Sequence, residues 1–452
     1  MAQTHDHDRR RTVAVIGGGF SGLLTAIHLL QGNPTVVVRL VERAPRFGRG
    51  RAYSASQADH VLNVRAANMS AFPDRPAHFV EWLAAEGEGG PDAFISRARY
   101  GDYLQGLLRE EIGEADSAGR LLLEADEAVS LTPEDDGWRV ELAVGRTFHA
   151  DACVLAVGLL PPAPLPGADE TVDDAPAYVA DPWRLDPKTA PDGQVLLLGS
   201  GLTMVDVALS LAGSGRQLLA VSRHGLISRG HGAVHPALAP GDGFATPVEG
   251  LRTLRRLAEG ADWRGAVDAI RPITADIWHG WSPAERRRFL RHARPWWEVH
   301  RHRMAPVVAA RVASLVAASE LTVAAGKLEH LSWDGQAFHA RIRGRGEAKP
   351  HDWRFDLVVN CTGPRGDPET AAGGLLANLR RRRAIRRDPL GLGLDITDDL
   401  QVVGADGAPT PGLFAVGPLT RAAVWEALAV PDLRNQTAQA ARAVLSNLAD
   451  RG

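Results

Sequence analysis

Two glycine-rich turns in this chain are followed by residues of opposite chemistry. The first, Gly17-Gly18-Gly19-Phe20-Ser21-Gly22, leads to an acid, Glu42, with Arg43 beside it; the second, Gly199-Ser200-Gly201-Leu202-Thr203-Met204, leads to Ser222-Arg223-His224. A turn of this kind suits a dinucleotide pyrophosphate: its glycines allow a tight bend and close backbone approach, and the helix that follows presents free N–H groups and a positive dipole end. In the first turn Gly17 is assigned to the bend, Gly19 to the approach and Gly22 to close helix–strand packing, with Phe20 and Ser21 opening the helix. A carboxylate at Glu42 accepts ribose hydroxyls and repels a 2′-phosphate, which points to FAD or NAD(H). In the second turn Gly199 and Gly201 take the first two roles, Leu202 and Thr203 open the helix, and Met204 replaces the third glycine. No acid follows; Ser222 and the Arg223 guanidinium suit a 2′-phosphate, which points to NADPH.

The flanking elements fit these assignments. Thr12–Ile16 is a short β-branched run predicted as a buried parallel strand, Phe20–Leu30 has helical spacing, and Val36–Val41 is a second strand. Val195–Leu198, Leu202–Leu211 and Leu218–Val221 repeat the pattern around the second turn. The expectation is an α/β protein with two Rossmann-like domains. Residues 1–165 form the first part of one, 166–355 form the other with a helical insertion at about 250–318, and 356–452 complete the first. Leu121–Leu142 is expected as strands around a turn at Glu134–Gly137, the run 160–166 as a linker, and Ala152–Val157, Asp356–Asn360 and Leu413–Val416 as further strands. The last helix is expected from about Val430 to Leu448.

Composition limits the partners. At 452 residues, 45% hydrophobic and 23% charged, with a net charge of −3, the chain reads as an ordinary globular protein. Its bulk charge favours neither nucleic acid nor an anionic membrane. The polar amino-terminal stretch has no apolar core of a leader, and no run reaches the roughly 18 apolar residues of a membrane span, so a cytoplasmic location is expected. Cys153 and Cys361 lie far apart, form no CxxC and read as small core residues. Ser282-Pro283-Ala284-Glu285 is a helix-start signature. The Arg- and Trp-rich stretch behind it, split near Pro295, reads either as a helical cap with its tryptophans in the core or as a lid over the active site. The spacing of His300 and His302 does not suit a metal site, and no metal is expected.

Taken together, Gly48-Arg49-Gly50-Arg51-Ala52-Tyr53-Ser54, Leu62-Asn63-Val64, Met69-Ser70-Ala71-Phe72, the second turn with its SRHGL continuation, ERRRFLRHARPWWEVHRHRMAP, VVNCTGP and WEALAVPDLRNQ resemble the bacterial FAD/NAD(P)-binding flavoprotein family. That family is related to the class B flavin monooxygenases and amine N-hydroxylases. The resemblance implies FAD in the first domain, NADPH in the second with its nicotinamide toward the flavin, and chain crossings at Gly158 and Gly363. It brings Gly50, Tyr53, Gly417 and Trp425 to the cofactors, and Asn63, Arg65, Asn68, Ser70 and Glu426 near the reacting centre. Of these, Arg65 is a candidate for a substrate carboxylate and Glu426 for an amine. Departures are visible too. Pro418 stands where related reductases have an Asp for the ribityl chain. Asp181 stands where the FxGxxxHxxxW fingerprint has a His, and a disulfide reductase is disfavoured because no CxxC exists. The implied activity is an NADPH-dependent FAD monooxygenase that uses O2 to oxygenate a small polar substrate, such as an amine or amino-acid nitrogen, through a C4a-hydroperoxyflavin. A flavin-dependent reductase or dehydrogenase, and a non-catalytic flavin- and NADPH-binding regulatory protein, remain as alternatives.

Overall fold

The computed structural model describes residues 10–54, 60–115, 119–213, 215–234, 241–260, 262–370 and 373–451; the polar start of the chain, residues 1–9, lies outside them. The chain divides into two units. The first comprises residues 1–58, 65–160 and 366–452, and the second comprises 59–64 and 161–365.

The first unit is built on a six-stranded sheet. Thr12–Ile16 lies near its centre, parallel to Val37–Val41 on one side and Ala152–Leu155 on the other. Leu121–Glu124 extends the sheet on the first side, and Pro409–Ala415 then antiparallel Gln401–Val403 extend it on the second. Val13, Ala14 and Val15 are completely buried. Both faces of the strand are covered, so its sequence is continuously apolar instead of alternating. The helix Phe20–Gly32 packs against the final helix, Val430–Ala449. Their approach is close enough that a Cβ on Gly32 would lie 2.7 Å from Leu445. A second, three-stranded antiparallel sheet, Ala128–Glu134, Gly137–Leu142 and Thr147–Ala150, shares a buried core with the main sheet, and its first two strands form the hairpin expected around Glu134–Gly137.

The second unit repeats the plan. Gln194–Leu198 lies parallel to Gln217–Ser222 and to Leu357–Asn360; Gln217–Ser222 lies parallel to Leu321–Trp333, and an antiparallel meander through Phe338–Gly344 and His351–Phe355 completes that side. Leu357–Asn360, which the sequence reading gave to the first domain, pairs along its whole length with Gln194–Leu198 and belongs to this sheet. The run 160–166, expected as a plain linker, opens with a short strand, Leu160–Pro162, paired with Pro364–Arg365.

The helical insertion runs from Pro247 to Ala317. Its capping box forms as expected: Ser282 Oγ accepts from the Glu285 N–H and the Glu285 carboxylate accepts from the Ser282 N–H. The stretch splits at Pro295 into Pro283–His292 and Arg294–Arg301. Its aromatic core is Trp278, Trp281 and Phe289, not Trp296, which is 48% exposed. Two arginines of the basic run have structural roles. Arg303, 2% exposed, grips the Asp268 carboxylate with two N–H groups (2.9 and 3.1 Å), and Arg286 donates to the Trp278 carbonyl. Among the described residues no helix is long and apolar enough to cross a membrane, and no group of three His, Cys, Asp or Glu side chains gathers as a metal site.

Candidate functional site

The two glycine turns are built alike. At the end of the central strand Gly17 adopts φ +110° and Gly199 φ +115°, a region that favours glycine. The N–H of Gly17 donates to the Val41 carbonyl and that of Gly199 to the Val221 carbonyl, both at 2.8 Å, tying each turn to its second strand. The third strand closes each turn from the other side. A Cβ on Gly17 would stand 2.3 Å from the Ala156 carbonyl oxygen, and one on Gly199 would stand 2.2 Å from that of Cys361. Behind the first turn, a Cβ on Gly22 would lie 1.7 Å from the Gly17 oxygen, so close helix packing there excludes any other residue.

The helices that leave the two turns begin at Gly19 and Gly201, and neither has a side chain capping it. Three helices of the insertion are capped by Thr246, Asp262 and Ser282, while others, such as Pro306–Ala317 and the final helix, have no side-chain cap either. Uncapped N–H groups at the head of a buried helix are the donors a pyrophosphate uses. The space beside Gly201 is open, with no atom within 4 Å of where a Cβ would be, whereas Gly19 faces the backbone of Gly50 across 3.4 Å. Gly48, in the same GRGR loop, donates its N–H to the Gly18 carbonyl (2.7 Å). Arg49 fastens this loop to the helix Arg97–Ala115 through the Ala98 carbonyl and Asp102.

Glu42, expected to bind ribose, is engaged with the backbone. Its two carboxylate oxygens accept the Gly18 N–H (2.8 Å) and the Ala44 N–H (3.1 Å), so the acid shapes the turn it faces. A carboxylate has about four lone-pair sites, which leaves capacity for ribose hydroxyls. Arg43 is exposed. At the second turn the Ser222 hydroxyl lies 2.7 Å from that of Ser200 and accepts the Gly225 N–H (3.0 Å), and Ser200 donates to the Leu226 carbonyl (2.6 Å). Ser222 thus locks the bend after its strand, and the exposed Arg223 is the cation it presents. Both cysteines are buried, and burial pushes their thiols far up, in keeping with core residues.

The candidate reaction-centre residues fall in both units. Asn63 lies in the second unit, where its carbonyl accepts from His231 Nε2 (3.0 Å). Arg65, Asn68, Ser70 and Glu426 lie in the first. Arg65 is paired with Asp92 (2.8 Å), an acid whose own side chain is 85% exposed. Asn68 is exposed at the end of a short 3-10 turn, Ala66–Asn68. Ser70 is fully buried; its hydroxyl donates to the Arg75 carbonyl (2.6 Å) and accepts the Phe72 N–H (3.2 Å), which commits it to its own turn. That turn is braced from the helix Arg97–Ala115, where Tyr100 donates to the Met69 carbonyl (2.9 Å) and the Tyr103 hydroxyl accepts the Ala71 N–H (3.3 Å). Tyr53 packs edge-on against Tyr100, and burial raises the hydroxyls of all three tyrosines, which therefore stay protonated.

Where an Asp was missing, a glutamine is found. Gln436, on the last helix and 3% exposed, accepts the Gly417 N–H (2.7 Å) and donates to the Thr420 hydroxyl (2.7 Å), which in turn donates to the Gly417 carbonyl (2.8 Å). Gly417, at φ +83°, brings this closed ring of hydrogen bonds against Ser21 of the first turn. Gln436 closes the family-like run WEALAVPDLRNQ, but the sequence reading gave it no role of its own, since one polar residue on an amphipathic helix has no periodic signature. Trp425 is buried beneath the Arg421 guanidinium, and Glu426 is buried in the turn before the last helix.

Residues 14–160 match the family model described as FAD-NAD(P)-binding. The matched stretch lies in the first unit apart from residues 59–64. Among curated proteins the chain is similar to a nitrosuccinic acid synthase of Aspergillus oryzae, 29% identical over 47% of this chain and 36% of that protein. It is also similar to an L-aspartate N-monooxygenase (nitrosuccinate-forming) of Streptomyces davaonensis, 28% identical over 46% of this chain and 40% of that protein. The matches thus span well under half the length of these relatives. Among solved structures, the ornithine N-hydroxylase of Kutzneria sp. 744, studied with reduced FAD, NADP+ and L-ornithine, superposes with a TM-score of 0.66 at 16% identity, covering 98% of this chain and 100% of that one. The chain shares its fold with that ornithine N-hydroxylase.

Proposed function

We propose that this protein is an NADPH-dependent flavin monooxygenase that oxygenates the amine nitrogen of a small amino acid, with L-aspartate the first substrate to test. The observation that carries this reading is the pair of like-built turns with unlike ends: an acid at Glu42 and a cation at Arg223. Two relatives whose names specify nitrosuccinate formation support the substrate class.

FAD suits the first turn, where Gly17, Gly22 and Gly50 leave no room for side chains and Glu42 is set for ribose. NADPH suits the second, where the approach at Gly201 is open and Arg223 is exposed. Bound FAD would accept hydride from NADPH and activate O2; the protein supplies geometry and electrostatics. The uncapped helix heads at Gly19 and Gly201 bind the pyrophosphates. The Gln436–Thr420–Gly417 ring fixes the loop at Pro418, so the backbone there serves in place of the absent Asp. Arg65, held by an exposed acid that a substrate carboxylate can displace, is assigned to that carboxylate, and Glu426 to the amine. Asn63 and Asn68 are assigned to polar edges of the cofactors, while Ser70 holds the loop that carries Asn68. The net reaction consumes NADPH, a proton, O2 and the amine, and yields the hydroxylated nitrogen, NADP+ and water.

The test is oxygen and NADPH consumption by the FAD-loaded protein with and without L-aspartate and other amino acids, with assay for the N-oxygenated product. An amino acid that stimulates both rates and is converted supports the proposal. NADPH oxidation that yields equimolar hydrogen peroxide whatever amino acid is present contradicts it and favours a reductase.

A further inference from the structure

We propose that Arg345 is the second arm of a clamp for the 2′-phosphate of NADPH, acting with Arg223 and His224; this rests on the NADPH reading of the second turn. Arg345 lies 122 positions beyond Arg223, in the turn after the strand Phe338–Gly344. The sheet brings it back. Ser222 pairs with Ala325 on the neighbouring strand, and the Arg345 N–H donates to the Ala325 carbonyl (2.8 Å). Gly225 sits against the same segment so tightly that a Cβ would come within 2.8 Å of the Ala325 nitrogen. The bend after Ser222 and the turn holding Arg345 are therefore neighbours by backbone, and the Arg345 guanidinium reaches His224 Nδ1 at 3.2 Å.

Arg345 bonded to His224, with Arg223 next to it in the chain, makes a grouping of cations around an imidazole in which no carboxylate is paired. Among the described residues neither Arg223 nor Arg345 has an acidic partner, and the nearby acids are engaged elsewhere. Glu347 accepts the Gly344 N–H (3.1 Å) and pairs with His351, while Glu329 pairs with Arg343. Such a grouping is unfavourable alone and favourable around a dianion. Guanidinium has no acceptor, so Nδ1 of His224 must be the acceptor and the imidazole is neutral in this arrangement. Partial burial, then Arg345 and Arg223, lower the His224 pKa, in agreement with a neutral ring. A phosphomonoester dianion between these groups would reverse the balance and favour the imidazolium.

The experiment is calorimetric titration with 2′,5′-ADP, which carries the 2′-phosphate, and with 5′-AMP, which does not. The wild type is expected to prefer 2′,5′-ADP. Arg345→Ala, an exposed position, is expected to lose about tenfold in 2′,5′-ADP affinity with 5′-AMP unchanged, and Arg345→Lys to retain part of the difference. The wild-type preference should weaken as pH rises above the imidazole range, and His224→Gln should flatten that dependence. If Arg345→Ala binds 2′,5′-ADP like the wild type while Arg223→Ala does not, the clamp is overturned and the NADPH reading stands. If the wild type binds both nucleotides equally, the NADPH reading falls and the clamp with it.

Discussion

Gly201 and Gly22 have different jobs in the two turns, approach and helix packing, and they should respond to the same substitution in opposite ways. A methyl group on Gly22 would stand 1.7 Å from a backbone oxygen, which no rotamer can relieve. Gly22→Ala is expected to cost more than about 3 kcal/mol and to abolish flavin retention, measured by urea denaturation and by flavin released on heating. Gly201 has open space around it, so Gly201→Ala is expected to leave stability within about 0.5 kcal/mol of wild type while raising KM for NADPH severalfold. An unchanged KM would place the pyrophosphate elsewhere. Spacing marked Glu42 as the candidate for ribose; that its carboxylate holds the Gly18 N–H was not legible, because the contact depends on the side-chain rotamer. Glu42→Ala removes both functions and is expected to weaken FAD binding at least tenfold, read by equilibrium dialysis. Arg345 was invisible for a different reason: its neighbours are set by strand pairing far along the chain, and nothing local marks it.

At the scale of elements, both βαβ units could be read from short apolar runs and the glycines between them because strand, turn and helix are contiguous. The capped helix at Ser282 was legible for the same reason. The strand Leu357–Asn360 was misassigned because a fully buried parallel strand carries the same apolar pattern in whichever sheet it joins; only its pairing with Gln194–Leu198 decides. Trp296 shows a related limit, since aromatic composition located a helical layer without saying which tryptophans face inward. The last helix carries a testable device. Gln436→Ala would strand the buried Gly417 N–H and remove a donor from Thr420, and is expected to destabilise the protein by about 1–3 kcal/mol in chemical denaturation. Flavin affinity should fall with it, because the same hydrogen bonds hold Gly417 against Ser21. A Gln436→Ala variant of wild-type stability would show that the ring of hydrogen bonds contributes nothing.

For the whole molecule, one architectural solution appears in each unit. In both, a glycine of positive φ is closed from behind by a carbonyl that follows the third strand, and an uncapped helix leads away. What differs is the end of the second strand, a carboxylate in one unit and a cationic group in the other, and on the proposed reading these select different nucleotides. Anaerobic mixing of the FAD-loaded protein with NADPH or NADH, followed by bleaching of the flavin absorbance, tests this most directly. The account predicts that NADPH reduces the bound flavin with a kcat/KM at least about tenfold above that of NADH, and that Arg223→Ala removes most of the difference. A protein that binds no FAD, or whose flavin is reduced equally well by both nucleotides, would contradict it.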